Sequence, residues 1–325
     1  MTRRTRVATS VALLVAGLVL GSGCGRPFAE GGSRELTVIT AWPADAPELL
    51  LLRAIVEREA IRIEDEAAYV VTLASPADAR AYRARNVLLV GAGSLDRVPP
   101  PCRRLARLLA AGRDPFAVTT DVWLRGQTAG IVWTRDRADW IPSVSAVQNR
   151  LFHALDRATY ATVRSRLTAL PRDAEAERRL ARVLGVRLAI PRGYTLRIDP
   201  GAKAALLIDE GPPARLLRFS AAPPDTAADL RRARATLARR FRPNERTLEI
   251  QEPELVSAEL GGQIAQWNGR WQDEAVTAAG PFRAYVVVRH GRRFLVDLAV
   301  FAPGRPKLPY LRELMAIAET LEPSP

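Results

Sequence analysis

The chain has 325 residues, a formal net charge of +13, 48% apolar and 26% charged residues, and two cysteines. That balance excludes a disordered chain, and so few cysteines exclude a disulfide-stapled fold, leaving packed cores as the source of stability. Lys203 and Lys307 are the only lysines, and the arginines are scattered rather than clustered, which favours coding bias over a dedicated acidic partner as the source of the charge.

Arg3, Arg4 and Arg6 precede an apolar run from Val7 to Leu20, and Gly21-Ser22-Gly23-Cys24 follow it. A cationic start, a short apolar run and small residues before a cleavage point form the layout of a secretory signal peptide. The run falls short of the ~20 residues that a spanning helix needs. A Cys at that place resembles a bacterial lipobox, which makes 1–23 a cleaved leader and Cys24 the lipidated first residue. Acyl chains on Cys24 would each contribute ~0.8 kcal/mol per buried methylene, enough for durable anchoring. Residues 24–35 read as a flexible tether with a reach of roughly 17–19 Å. The expected partners are the membrane, through that anchor, and an anionic envelope component or an envelope protein, with no nucleic acid. Gly25, where Asp would signal inner-membrane retention, points to the outer membrane facing the periplasm.

In chain order, Leu36 to Thr40 reads as a buried strand and Pro47 to Ala60 as a helix with a wide apolar face. Tyr69 to Leu73 and Asn86 to Val90 are further strands, and Cys102 to Leu109 is a short helix. With Cys24 acylated, Cys102 stands alone ahead of Leu105, Leu108 and Leu109, the position of a small buried residue. Phe116 to Arg125 and Ala129 to Trp133 suggest a hairpin. A long helix follows from about Pro142 to Leu170, with Val144, Val147, Leu151 and Leu155 on one face. Polar Pro171-Arg172-Asp173 suggests a boundary between a domain of 36–170, α/β or α+β, and one of 175–322.

The second part opens with a helix stopped by Gly185. Strand candidates follow at Val186 to Ile190, Tyr194 to Asp199, Ala204 to Ile208 and Arg215 to Ser220. A helix from about Thr226 to Phe241 carries Leu230, Ala233, Leu237 and Phe241 on one face, with Arg231, Arg232, Arg234, Arg239 and Arg240 mainly off it as a solvated basic surface. Phe282 to Arg289 and Arg293 to Phe301 form a hairpin turning at His290-Gly291-Arg292, and a last helix runs from Pro309 to Leu321. The predicted class is α+β in two domains, the second an antiparallel sheet flanked by helices.

The chemistry-bearing residues are sparse. Two histidines and one free cysteine provide no His/Cys metal set, and no cofactor motif appears. His153, three residues before Asp156, reads as a helix-surface pair. Asp209-Glu210 and Asp273-Glu274 are adjacent carboxylates, and neighbours on an extended chain point to opposite faces. No catalytic residue is assigned. An envelope hydrolase with dispersed carboxylates is the alternative to a non-catalytic binding or scaffolding module. The candidate binding residues are Trp267, Arg270, Trp271 and Phe282. Period two puts both indoles on one face, either capping the core or lining a site for an anionic or sugar-containing partner.

Gly185-Val186-Arg187-Leu188-Ala189-Ile190-Pro191-Arg192-Gly193-Tyr194, then Gly269-Arg270-Trp271, Gly280-Pro281-Phe282, Phe301-Ala302-Pro303 and Tyr310-Leu311-Arg312-Glu313-Leu314 occur in an order that resembles a lipoprotein family known as a domain of unknown function (family 4837). Arg85-Asn86-Val87-Leu88 fits too. The resemblance implies a membrane-anchored lipoprotein and no reaction. The element order of the second part is also similar to the sandwich of photosystem II extrinsic proteins, as fold analogy only.

Overall fold

Strands rich in Val, Ile and Leu without polar alternation are those covered on both faces, and the residues up to Thr168 build such a sheet. In the computed structural model, which describes residues 26–61, 66–221, 227–251, 254–256 and 264–324, its strands are β1 (Glu35–Ile39), β2 (Val70–Ala74), β3 (Asn86–Ala92), β4 (Phe116–Thr120) and β5 (Thr128–Thr134). Their order is β2-β1-β3-β5-β4. All pairings are parallel except that of β4 with β5. This first unit is therefore α/β. Three helices cover it: α1 (Pro47–Val56), α2 (Arg103–Ala110) and α3 (Trp140–Thr168). Leu36, Val38, Leu88 and Val90 pack under α1 and α3, while Ile39, Val87 and Leu89 meet Leu105 and Leu109 of α2. Cys102 is buried in that second layer, and burial pushes its thiol up to about 11.

Buried amides close the amino ends of these strands. Asn86 Nδ2 donates to Ser33 O at 3.2 Å and Glu35 O at 2.8 Å. Gln127 Nε2 donates to Tyr82 O and Ala84 O at 2.9 and 2.8 Å. Both side chains are wholly buried, where an unpaired polar group costs about 1–3 kcal/mol. The N-terminal segment is sewn to the same edge: Ala29 N donates to Arg125 O, Arg125 N to Pro27 O and Arg85 N to Glu30 O. Ala29 and Ser33 are buried. The flexible tether expected over 24–35 is corrected by these bonds, because from Pro27 onward the segment is part of the first unit.

Past α3, Asp173 Oδ1 accepts from the N–H groups of Glu175 and Ala176 and so caps α4 (Ala174–Leu184). Gly185 ends that helix at φ 61°, a conformation that costs glycine nothing. Strands β6 (Thr195–Asp199), β7 (Ala204–Asp209) and β8 (Ala214–Ala221) follow, then α5 (Ala227–Phe241). Strands β9 (Glu245–Ile250), β10 (Glu254–Val256), β11 (Ile264–Asp273), β12 (Ala278–Arg289) and β13 (Arg292–Phe301) precede α6 (Leu308–Ala318). The sheet order is β9-β11-β12-β13-β8-β7-β6, with β10 beside β11. Every pairing is antiparallel. Alternate residues serve opposite layers: Leu207, Leu217, Tyr285 and Val296 face the side of α4 and α6, and Leu206, Leu216, Phe282 and Leu295 face α5. The chain is α+β, with an antiparallel sheet flanked by helices in its second part.

Two expectations need correcting here. The apolar run Val186 to Ile190 joins neither large sheet; only Val186–Arg187 pairs, with Glu322–Pro323, while Leu188 and Ile190 are buried as irregular chain. Arg234 is not on a solvated face of α5 but is fully buried beneath it.

The second unit docks through α6, whose first turn has no side-chain cap of its own. Glu66, from the first unit, supplies one: its carboxylate accepts from Lys307 N at 2.8 Å and Leu308 N at 3.0 Å. It is 7% exposed and also pairs with Arg34 at 3.2 Å. A carboxylate at a helix N-terminus satisfies orphan donors and opposes the helix dipole favourably. Arg312 of α6 completes the joint, bonding to Asp156 on α3 and donating to Ser33 O. Glu66→Ala should cost about 1–2 kcal/mol and split one calorimetric unfolding transition into two. One unshifted transition would mean that other contacts couple the units.

Candidate functional site

Trp267 and Trp271 lie on β11 and Phe282 on β12, and Trp267↔Ala284 and Gly269↔Phe282 are registered neighbours. All three side chains are at most 1% exposed and pack in the layer under α5. Arg270 is on the opposite face of β11 and half-buried. The period-two reading of 267–271 therefore matches the strand, and both indoles are core residues, closed to any stacking partner. Neither indole N–H has a hydrogen-bond partner among the described residues; packing holds both, with the Arg242 guanidinium 5.6 Å from the Trp271 ring centroid. Gly280, paired with Trp271, makes room for a backbone rather than a ring: a Cβ there would lie 2.0 Å from Val300 O. Cys24 lies outside the described residues.

Directly above these rings is a buried charge cluster with no counterpart in the sequence pattern. Arg218 on β8, Arg234 on α5, Glu245 on β9 and Asp297 on β13 are each at most 2% exposed. Arg218 bonds to Glu245 and Asp297. Arg234 reaches the same two carboxylates at 2.9 and 3.1 Å and Thr247 Oγ1 at 2.9 Å. Its guanidinium sits 3.8 Å from the Phe282 ring centroid. Burial would lower the pKa of Arg218, but Asp297 and Glu245 outweigh it and raise the value, so the residue stays charged. Two cations and two anions neutralise one another, and each carboxylate is fixed between two guanidinium groups. Such a cluster holds a fold and leaves no carboxylate free to move a proton.

The adjacent carboxylates are engaged separately. Asp209 bonds to Arg215, Glu210 to Arg197 at 2.9 Å, and Glu274 to Arg246 at 3.3 Å. Asp273 caps a short turn through Ala275 N at 3.1 Å. Asp156 is taken by Arg312 rather than by His153. His290 adopts φ 47° in the β12–β13 turn, its Nε2 3.4 Å from Glu322. A polar depression of about 490 Å³ is lined by the paired Glu245, Arg246 and Glu274 together with Arg239 and Asn244.

The open end of the first sheet offers a different surface. Parallel sheets bind ligands outside the carboxyl ends of their strands, where successive connections leave in opposite directions. Here β1 is flanked by β2 on one side and β3 on the other, so the switch point lies between β1 and β3. A crevice of about 220 Å³ opens at that place. Trp42 follows β1, Pro76 follows β2, Gly91 is next to last in β3, Trp133 is next to last in β5, and Arg97 and Pro99 complete the wall. Sequence reading missed it, although a Trp after one strand and Gly91 and Gly93 at the end of another were signals at hand.

The rings lining the crevice are held in place. Trp133 lies across the backbone of Gly91, where a Cβ would come within 2.3 Å of the indole, and its Nε1 donates to Gly93 O at 2.8 Å. Trp42 meets Trp140 edge-on at 5.6 Å, with the Arg137 guanidinium 5.1 Å from its ring. Arg137 in turn donates to both oxygens of Glu48, at 2.7 and 3.0 Å.

Residues 242–320, from β9 through α6, match the family described as Domain of unknown function (DUF4837). The resemblance carried by the sequence motifs is borne out over that segment. No curated protein matches the chain in sequence. A solved structure from Bacteroides thetaiotaomicron is 10% identical over 43% of this chain, with a TM-score of 0.24; the match spans 46% of that chain, less than half its length. LpqN of Mycobacterium tuberculosis, described as involved in cell envelope biogenesis, is 15% identical over 43% of this chain and 83% of its own, with a TM-score of 0.26. The Ran-binding protein Mog1p of Saccharomyces cerevisiae is 7% identical over 43% and 90%, with a TM-score of 0.28. Scores this low carry no argument. Among the described residues, no helix is long and apolar enough to cross a membrane.

Two measurements check this geometry. Trp271→Ala should cost about 3–5 kcal/mol in denaturant unfolding; a loss below 1 kcal/mol would mean that the layer under α5 is loosely packed. The Glu48 carboxyl is held below its usual 4.5, first by its hydrogen bond with Arg137, against the opposing effect of burial. Because the folded value is lowered, its stabilisation is present above the unfolded value and fades as pH falls through the folded one. Glu48→Gln should therefore melt earlier than the parent at pH 7, and the gap should close as the pH drops below 4.5.

Proposed function

We propose that the protein is a lipid-anchored, non-catalytic binding module of the cell envelope, held by acyl chains on Cys24 in the outer membrane and facing the periplasm. The observation that carries this reading is the run Arg3-Arg4-Thr5-Arg6, Val7 to Leu20, Gly21-Ser22-Gly23-Cys24, in which charge, apolar length and small residues occur in the order an exported lipoprotein needs. Gly25 in place of Asp favours release to the outer membrane. Binding is favoured over catalysis because the crevice is lined by aromatic, aliphatic and proline side chains with one arginine, and by no acid, base or nucleophile. The partner class that suits an arginine-rich envelope protein is an anionic envelope component or another envelope protein.

Feeding cells a clickable fatty-acid analogue should label the intact protein and spare Cys24→Ser, which should also leave the membrane fraction. Equal labelling of the two would remove the anchor from this proposal.

A further inference from the structure

The carboxyl-end crevice carries a charge with no carboxylate opposite it in the lining. The guanidinium of Arg97 at its mouth is exposed and has no ion pair or hydrogen bond among the described residues, the residue being held by its backbone N–H donating to Ser94 O at 3.0 Å. The neighbouring Asp96 is turned to Ser94, whose Oγ bonds its Oδ2 at 3.2 Å. Most arginines on this chain have found a carboxylate, a carbonyl or a ring. This one faces an open, aromatic-walled space.

The two indoles add shape to that charge. Trp42 and Trp133 are only half-buried, yet each is fixed on several sides by the contacts given above. Rings locked during folding lose no further freedom when a ligand arrives, which favours affinity. The size sets a limit as well. A cavity of about 150 Å³ accepts a benzene ring, so the 220 Å³ here fits one ring with a single substituent.

We infer that the crevice binds a small monoanion built on one ring, with the ring against Trp42 and Trp133 and its carboxylate on Arg97. An indole face recognises an aromatic ring or the apolar face of a sugar, and a guanidinium pairs with an oxyanion through charge-assisted hydrogen bonds. This inference rests on the reading of the protein as a binding module and is independent of its anchor.

Calorimetric titration of the full-length chain in detergent tests it, with benzoate and glucuronate as probes for the two kinds of ring. Benzyl alcohol and acetate serve as controls that each lack one half of the motif. At least one anion should bind ten-fold or more tightly than both controls, and which one does identifies the ring. Arg97→Gln should weaken it about 10–100-fold, the worth of a charge-assisted contact. Trp42→Leu, checked for folding by its melting curve, should weaken the same anion and leave acetate unchanged. Equal binding of anions and controls, or an anion bound as well by Arg97→Gln, would overturn the inference. Loss of fatty-acid labelling in cells would leave it standing, so the two failures are separable.

Discussion

The second unit is arranged around four buried charges. Arg218, Arg234, Glu245 and Asp297 come from three strands and one helix, and none of them is tolerable there without the others. Removing one partner from such a set leaves an uncompensated charge in a low dielectric, a loss of about 3–5 kcal/mol. Helix α5 must therefore lie where Arg234 reaches both carboxylates, and β9 must lie where Glu245 reaches both guanidiniums. The same placement sets Arg234 against Phe282 and closes the layer that holds Trp267 and Trp271. Hydrophobic burial supplies most of the stability, but it is not directional. The charges supply the register.

The first unit uses polar groups differently, to finish one end of a sheet. Asn86 and Gln127 satisfy backbone carbonyls at the amino ends of the strands, and Glu66 and Arg312 attach the second unit. With that end occupied by backbone, amides and a neighbouring helix, the carboxyl ends are what remains open. A binding site on this unit is thus placed by elimination as well as by strand polarity.

The parts of the fold that were legible in the sequence were those in which a local signal coincides with the tertiary role. Gly185 stops α4, and alternation around His290-Gly291 marks the β12–β13 hairpin. Unbroken apolar runs mark β1 and β3. Where local and tertiary roles part, the reading failed. Arg234 was assigned to solvent because an arginine is almost always exposed unless paired, and its partner Asp297 lies 63 residues away. Val186 to Ile190 has the composition of a strand, but an apolar run reports burial and not pairing. Strand β9 opens on three polar residues, Glu245-Arg246-Thr247, and shows no apolar run, while β11 was legible only through the alternation of Trp267 and Trp271 with polar neighbours. The crevice draws Trp42, Gly91 with Arg97, and Trp133 from three separate stretches of chain, and no window of sequence contains it.

The polarity of the parallel sheet also fixes where the crevice stands relative to a lipid anchor. Only Gly25 and Arg26 separate Cys24 from Pro27, and Pro27 is already bonded at the amino edge of the strands. An acylated Cys24 would hold that edge close to the headgroups. The crevice lies at the other end of β3, seven residues away, or about 20 Å at ~3.3 Å per residue. That is more than twice the Debye length of ~8 Å at physiological ionic strength. The potential of an anionic bilayer would be largely screened at Arg97, so its guanidinium would remain available to solutes from the aqueous side rather than being occupied by the membrane.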